Sequence, residues 1–339
     1  MKHRIRTGIA ASFAMLILIL DTKTALSGAN EGIQLCVKTV IPSLLPFIFL
    51  SNLLTSALTG TKSKVLQLFG RFMGMPQGCE SLFIIGALGG YPTGAQAVSS
   101  AYSNGQLSKK DAQRLLGFCS NAGPSFLFGI TAAQFPDLTS VWLLWLIHLL
   151  SAFFTGILLP GGSRDNVVIQ QGNPLSAVQS LRKSINSMAQ ICGWVILFRI
   201  LISFSTRWFL WLFDDNTNVL INGTVELSLG CVSLSKIKNL GMRFLAGAAL
   251  LGFGGLCVLM QTASCVGSLG LGMYIPGKIM QCCISIILAA TVQNLLYPPD
   301  QRCPIHFILY AISVLAIAII RIFMQKSENR SRNLQPLVV

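Results

Sequence analysis

Two acidic residues raise the question of chemistry in this chain. Glu80 and Glu226 each stand at the entrance to a strongly apolar stretch, GCESLFIIGALGG and TVELSLGC. A carboxylate at membrane depth is costly to keep there, and it can bind a coupling cation or carry a proton. At the interface the same residue would only cap a helix. Amides and hydroxyls follow in the same surroundings. Tyr91, Thr93 and Gln96 lie in GALGGYPTGAQAV, Gln261 and Ser264 in GFGGLCVLMQTASC, and Ser120, Asn121 and Ser125 in SNAGPS. These side chains offer donors and acceptors to a polar solute. The plainer alternative is hydrogen bonding between helices. His148 sits alone in a greasy run and reads first as a satisfied bundle histidine. Arg199, in a similar place, could pair with an acid, face an anion or reach for the interface.

Glycine and proline puncture the elements that carry these groups. Gly89, Gly90, Pro92 and Gly94 crowd the first segment, and Gly254 and Gly255 the second. Non-helical backbone at membrane depth is tolerated only where protein buries it or where it lines a watery cavity. We therefore read each segment as a re-entrant helical hairpin turning at those residues. The freed amides of a half-helix N-terminus carry positive partial charge and suit an anionic or strongly polar solute. Service as close-packing surfaces alone is the bland reading of the same glycines.

The chain as a whole calls for a bilayer. Of 339 residues, 53% are hydrophobic and 11% charged, too few charges to cover a soluble protein of this size. Residues 141–159, 188–204, 273–297 and 305–320 read as spans. The fold class expected is all-α, a polytopic integral membrane protein. The net charge of +14 collects at the ends of apolar runs, as in Lys109-Lys110 and Arg182-Lys183. That is the habit of cytoplasmic flanks and does not point to nucleic acid. Ten scattered cysteines form no CxxC pair, so they read as small buried hydrophobes and no metal site is expected. HExxH, GxSxG, GxGxxG and GK[ST] are all missing, and we expect no enzyme and no cofactor.

The order of features repeats. Glu80 matches Glu226, Gly89-Gly90 matches Gly254-Gly255, and Gln96 matches Gln261. Residues 1–28 are expected to form a leading helix, retained although its basic start also resembles a signal peptide. A first repeat then covers 29–160, a linker 161–174, a second repeat 175–325 and a tail 326–339. Inverted repeats with broken helices are the mark of secondary transporters, whose solute sites lie where the broken segments meet.

Pro42-Ser43-Leu44-Leu45-Pro46-Phe47, GALGGYPTGAQAV and GQLSKKDAQRLLGFCSNAGP together resemble the YlbJ (SpoVV) family of sporulation integral membrane proteins. That family belongs to a wider group with nucleoside-recognition "Gate" domains. The resemblance implies a multispanning, transporter-like protein of the bacterial cell membrane in endospore formers, in the outer forespore membrane if it acts as its relatives are held to. It implies dipicolinate, a small aromatic dicarboxylate, as the solute. The partners expected are that solute, the bilayer, and a second copy or other sporulation membrane proteins. A membrane scaffold that transports nothing is the competing reading.

Overall fold

The computed structural model describes residues 2–58, 63–162, 174–303 and the single positions 167 and 313. Helices account for all regular structure among them. Among the described residues, six helical stretches are long and apolar enough to cross a bilayer: Thr22–Ala57, Lys109–Gln134, Leu138–Leu158, Ala177–Trp208, Leu240–Leu269 and Tyr274–Leu296. The protein is therefore an all-helical, membrane-embedded chain. The expected span over 305–320, apart from position 313, and the expected tail lie outside the described residues, and so does most of the linker.

The first break falls earlier than residue 28. Helix α1 covers Lys2–Leu20 and α2 covers Thr22–Leu35. Asp21 caps α2 by accepting from the Thr24 amide at 3.2 Å. A π-helical turn at Cys36–Val40 leads into α3, Ile41–Leu58, which carries Pro46 inside it. A loop and the short helix α4, Lys64–Phe72, follow.

Next comes a true hairpin. Helices α5, Glu80–Gly89, and α6, Thr93–Ser103, pack along one another. Helix α7, Lys109–Cys119, starts on a Ser108 cap, with the Asp111 amide donating to Ser108 Oγ at 3.1 Å. It breaks at Ser120 and resumes as α8, Pro124–Phe126, which runs on through π and 3-10 turns to Gln134. Helix α9 is Leu138–Leu158.

The second half opens with α10, Ala177–Trp208, capped by a reciprocal Ser176–Gln179 box. Helices α11, Asp215–Val225, and α12, Leu227–Val232, then pack on each other as a second hairpin. Gly223 and Gly230 let them meet, since a Cβ on Gly230 would lie 2.1 Å from the Gly223 Cα. Helix α13, Leu240–Phe253, and α14, Gly255–Val266, flank a break, and α15 covers Tyr274–Leu296.

This corrects one expectation. Gly254 and Gly255 do not turn a hairpin, because α13 and α14 do not pack side by side. Both residues have positive φ, +84° and +81°, which bends the chain sharply without folding it back. The helical hairpin of this part of the chain lies upstream, at Glu226.

Long-range contacts fix the relative directions. Leu269, beyond α14, accepts from Gln113 Nε2 near the start of α7 at 2.8 Å. Arg243, near the start of α13, donates to the Gln134 carbonyl beyond α8 at 2.9 Å. The two broken helices therefore run antiparallel. Hairpin arm α6 packs on α14, and α12 packs on the π turn after α8.

Candidate functional site

The centre of the molecule is built where the breaks meet. Gly86 on α5 and Gly94 on α6 straddle the Cys119 carbonyl at the end of α7. A Cβ on either would come within 1.6 Å and 2.1 Å of that oxygen. Gly90, with φ +72°, lies against Gly123, where a Cβ would stand 2.9 Å from the Gly123 amide nitrogen. The glycines of GALGGYPTGAQAV thus seat the hairpin tip on the broken end of α7. Tyr91 carries the tip across to the other half. Its hydroxyl is 3.4 Å from the Leu251 carbonyl, and Gly254 leaves room for it.

A buried polar network fills this junction. Asn121 Nδ2 donates to the Phe118 carbonyl at 2.8 Å, and Asn121 Oδ1 accepts from Gln281 Nε2 at 2.9 Å. The Ala122 amide donates to His148 Nε2 at 2.9 Å. An imidazole that accepts through Nε2 carries its proton on Nδ1. His148 thus holds the break through Nε2, but it is not the fully satisfied histidine expected, because its Nδ1 is buried without a hydrogen-bond partner. Ser285 and Ser151 join α15 to α9 by a 2.8 Å hydrogen bond.

Lys278 lies at the heart of the network, 1% exposed. Its Nζ donates to the Ser120 carbonyl, to Gln281 Oε1 at 2.7 Å and to the Tyr91 hydroxyl at 3.4 Å. It also stands 5.2 Å and 5.8 Å from the ring centres of Tyr91 and Tyr274. No carboxylate among the described residues pairs with it. The reading of the sequence passed over Lys278 and Gln281. The available signal was a lysine inside the apolar run YIPGKIMQCC, which by default marks function at membrane depth.

A second feature is open. A cavity of about 780 Å³ lies between α3, the α5–α6 hairpin and α10. Asn52 and Thr55 line it from α3, Thr93 and Gln96 from α6, and Asn186 and Gln190 from α10. Lys183 is the one charged residue on its wall among the described residues. The wall extends from Thr93 and Cys265 out to Asn104, Gln106 and Leu175. The mouth therefore opens on the side of Lys109, Lys110 and Arg182.

The predicted residues divide between these places. Thr93 and Gln96 line the cavity, and Gln96 Nε2 reaches Cys265 Sγ at 3.5 Å. Tyr91, Ser120 and Asn121 belong to the Lys278 network. Ser125 is buried just past Pro124. Gln261 is buried and donates to Cys257 Sγ on its own helix at 3.4 Å. Ser264 falls outside both features: it is exposed and accepts from Trp194 Nε1 at 3.2 Å. Both carboxylates bind backbone amides, but only Glu226 caps a helix, α12; Glu80 instead ties back the turn before α5. Glu80 accepts twice from the Gly78 amide, at 3.0 Å and 3.2 Å. Glu226 accepts from the Ser228 and Leu229 amides at 3.0 Å and 2.7 Å. Neither lines the cavity. Arg199 pairs with Glu31 on α2, an acid that the sequence reading had not matched to it.

No group of His, Cys, Asp and Glu among the described residues is arranged to hold a metal. Comparison with known proteins gives neither a matching family model nor a matching solved structure. One curated protein is similar over most of both chains, covering 77% of this one and 76% of its own length. With 24% identity over 312 residues, the chain is similar to the sporulation integral membrane protein YlbJ of Bacillus subtilis (strain 168), as its glycine-rich hairpin and broken α7 motifs imply.

Proposed function

We propose that the protein is a secondary transporter for a small polar or anionic solute, with dipicolinate as the solute that the family resemblance implies. The observation that carries this reading is the polar cavity walled by a re-entrant hairpin and ending at Thr93, two residues from Tyr91. From Asn104 to Thr93 the α6 wall descends about 16 Å, roughly half of a ~30 Å hydrocarbon core. An apolar bundle has no packing reason to keep such a wedge of amides and hydroxyls. The single lysine on the wall gives the cavity a positive bias.

The reading includes an inverted repeat. Each half has a long helix or helix pair (α2–α3, α10), a hairpin (α5–α6, α11–α12), a broken helix (α7–α8, α13–α14) and a plain span (α9, α15). Antiparallel broken helices and reciprocal hairpin contacts support it. The basic flanks around the mouth support a cytoplasmic side for the cavity.

Uptake of labelled dipicolinate into proteoliposomes tests the proposal, with other small carboxylates in parallel. Wild-type protein is expected to accumulate solute above protein-free vesicles. Asn186→Trp, which fills the cavity from α10, is expected to cut the rate at least tenfold while leaving the protein folded. Equal uptake with and without protein across the panel would leave the scaffold reading in its place.

A further inference from the structure

Lys278 is held as a cation is held, not as one half of an ion pair. Helices α7 and α15 cross at Gly117 and Gly277, where a Cβ on Gly277 would stand 2.4 Å from the Gly117 carbonyl oxygen. That contact sets the next residue, Lys278, at the end of α7. A helix that stops leaves its last carbonyls without intrahelical donors. It also leaves the negative end of its dipole there. At this end the Cys119 carbonyl is packed between Gly86 and Gly94, and Asn121 satisfies the Phe118 carbonyl. The Ser120 carbonyl receives Lys278.

The remaining partners are a neutral amide oxygen, a phenol and two aromatic faces. Three N–H bonds of an ammonium meet three oxygens. Oxygens of an unwound segment at a half-helix C-terminus are what bind a coupling cation in broken-helix transporters. A second observation extends the set. Ser120 Oγ, Thr262 Oγ1 and the Tyr274 hydroxyl are buried with no hydrogen-bond partner, and the three belong to residues no more than 1% exposed. Tyr274 lies beside both of the others, without hydrogen-bond geometry between them. A cluster of neutral buried oxygens thus adjoins Ser120, the residue whose carbonyl binds Lys278.

We propose that this is a monovalent-cation site filled by the chain itself: the Lys278 ammonium stands where a free Na⁺ or K⁺ would otherwise be bound. The protein accordingly holds its assembled junction without an added alkali cation. The site stands on geometry alone. Only the further step, that uptake needs no sodium or potassium gradient, rests on the transporter reading.

The test uses the full chain purified in detergent, with thermal unfolding as readout. Salts are compared at equal ionic strength against choline chloride. Wild-type stability is expected to be the same in NaCl, KCl and choline chloride. Lys278→Ala is expected to melt about 5 °C lower or more in choline chloride. Ethylammonium, methylammonium or Na⁺ should restore part of that loss saturably. Lys278→Met, which refills the space with apolar atoms, should be destabilised without such rescue. Saturable stabilisation of the wild type by Na⁺ or K⁺ would overturn the proposal, and that measurement remains available even if the variants fail to fold. So would a Lys278→Ala protein as stable as wild type and indifferent to every cation. Absence of uptake, with these melting results intact, would count against the transporter reading and leave the cation site standing.

Discussion

At the scale of single residues, the two buried cations of the α7 region behave differently. Lys278 meets three acceptors from three elements, whereas Arg114 works as a clasp. It is 4% exposed. Its guanidinium donates to the Met73 and Gly156 carbonyls at 2.6 Å, to Gly74 at 3.1 Å and to Leu159 at 3.1 and 3.2 Å. Those carbonyls belong to the turn after α4 and to the C-terminal end of α9, where a cation also meets the helix dipole. Replacing Arg114 by Ala leaves four carbonyls with one partner fewer. Hydrogen bonds to charged groups each contribute about 1.5–3 kcal/mol, so Arg114→Ala is expected to destabilise the protein by about 3–5 kcal/mol. A thermal melt of the detergent-solubilised variant checks this, and a melt within 1–2 °C of wild type, on the order of a few tenths of a kcal/mol, would contradict the clasp.

The carboxylates make the complementary prediction. Glu226 binds two amides at the start of α12, and capping groups contribute about 1 kcal/mol each. Glu226→Gln retains one acceptor oxygen. It is expected to cost about 1 kcal/mol and to leave the cation and proton dependence of uptake as in wild type. A changed dependence would return Glu226 to the coupling role that its place in the sequence first suggested. The sequence could expose the acid but not its partners, because a cap and a coupling site call for the same residue at the same position. Lys278 shows the converse. Its role depends on α7 arriving at Gly277 from more than 150 positions away, and no local pattern carries that information.

At the scale of elements, glycine decides which helices can touch. Gly28 and Gly32 on α2 face α10, where added Cβ atoms would stand 2.9 Å from the Ile200 Cα and 2.9 Å from the Ile196 Cα. This is the small-xxx-small contact of membrane helices. The Glu31–Arg199 pair and the 3.2 Å Asp21–Arg207 pair flank the same contact. Gly28→Leu must push the helices apart and is expected to cost about 1–3 kcal/mol, read as a lower melting temperature, whereas a leucine at Gly8, which has open space around it, should change nothing measurable. The α5–α6 hairpin was legible in advance because Gly89, Gly90, Pro92 and Gly94 crowd into six positions of one apolar segment. Its counterpart was not. Gly254-Gly255 looks like a tip by composition, yet two positive-φ residues in succession bend a chain, and the arms pack only if small residues face each other along them. Gly223 and Gly230 meet that condition around Glu226, and they are spread too thinly in the sequence to announce it.

At the scale of the whole molecule, the arrangement is one-sided. The cavity runs from Thr93 and Cys265 out to Asn104, Gln106 and Leu175, which puts its mouth on the side where the chain carries Lys109, Lys110 and Arg182. Toward the other face, the junction is packed by buried aromatic and aliphatic groups, with Phe244, Leu227 and Leu144 among the fully buried side chains. A membrane-impermeant thiol reagent therefore has a path to one side only. Asn186→Cys and Asn104→Cys line the cavity and are expected to be labelled when the basic face is presented, as in inverted membrane vesicles, and protected in right-side-out ones. Gln261→Cys, buried on α14, is expected to stay unlabelled in both. Peptide mass spectrometry separates these positions from the native cysteines. A transporter must at some point expose its site to the opposite face, so solute added on the right-side-out surface should raise labelling at the α11–α12 hairpin as it lowers labelling at Asn186→Cys. Labelling of Asn186→Cys that is equal from both faces would mean an open channel, and none from either face would mean that the amide-lined wedge never meets water. Either result would remove the basis for alternating access, because that mechanism needs one wet face at a time.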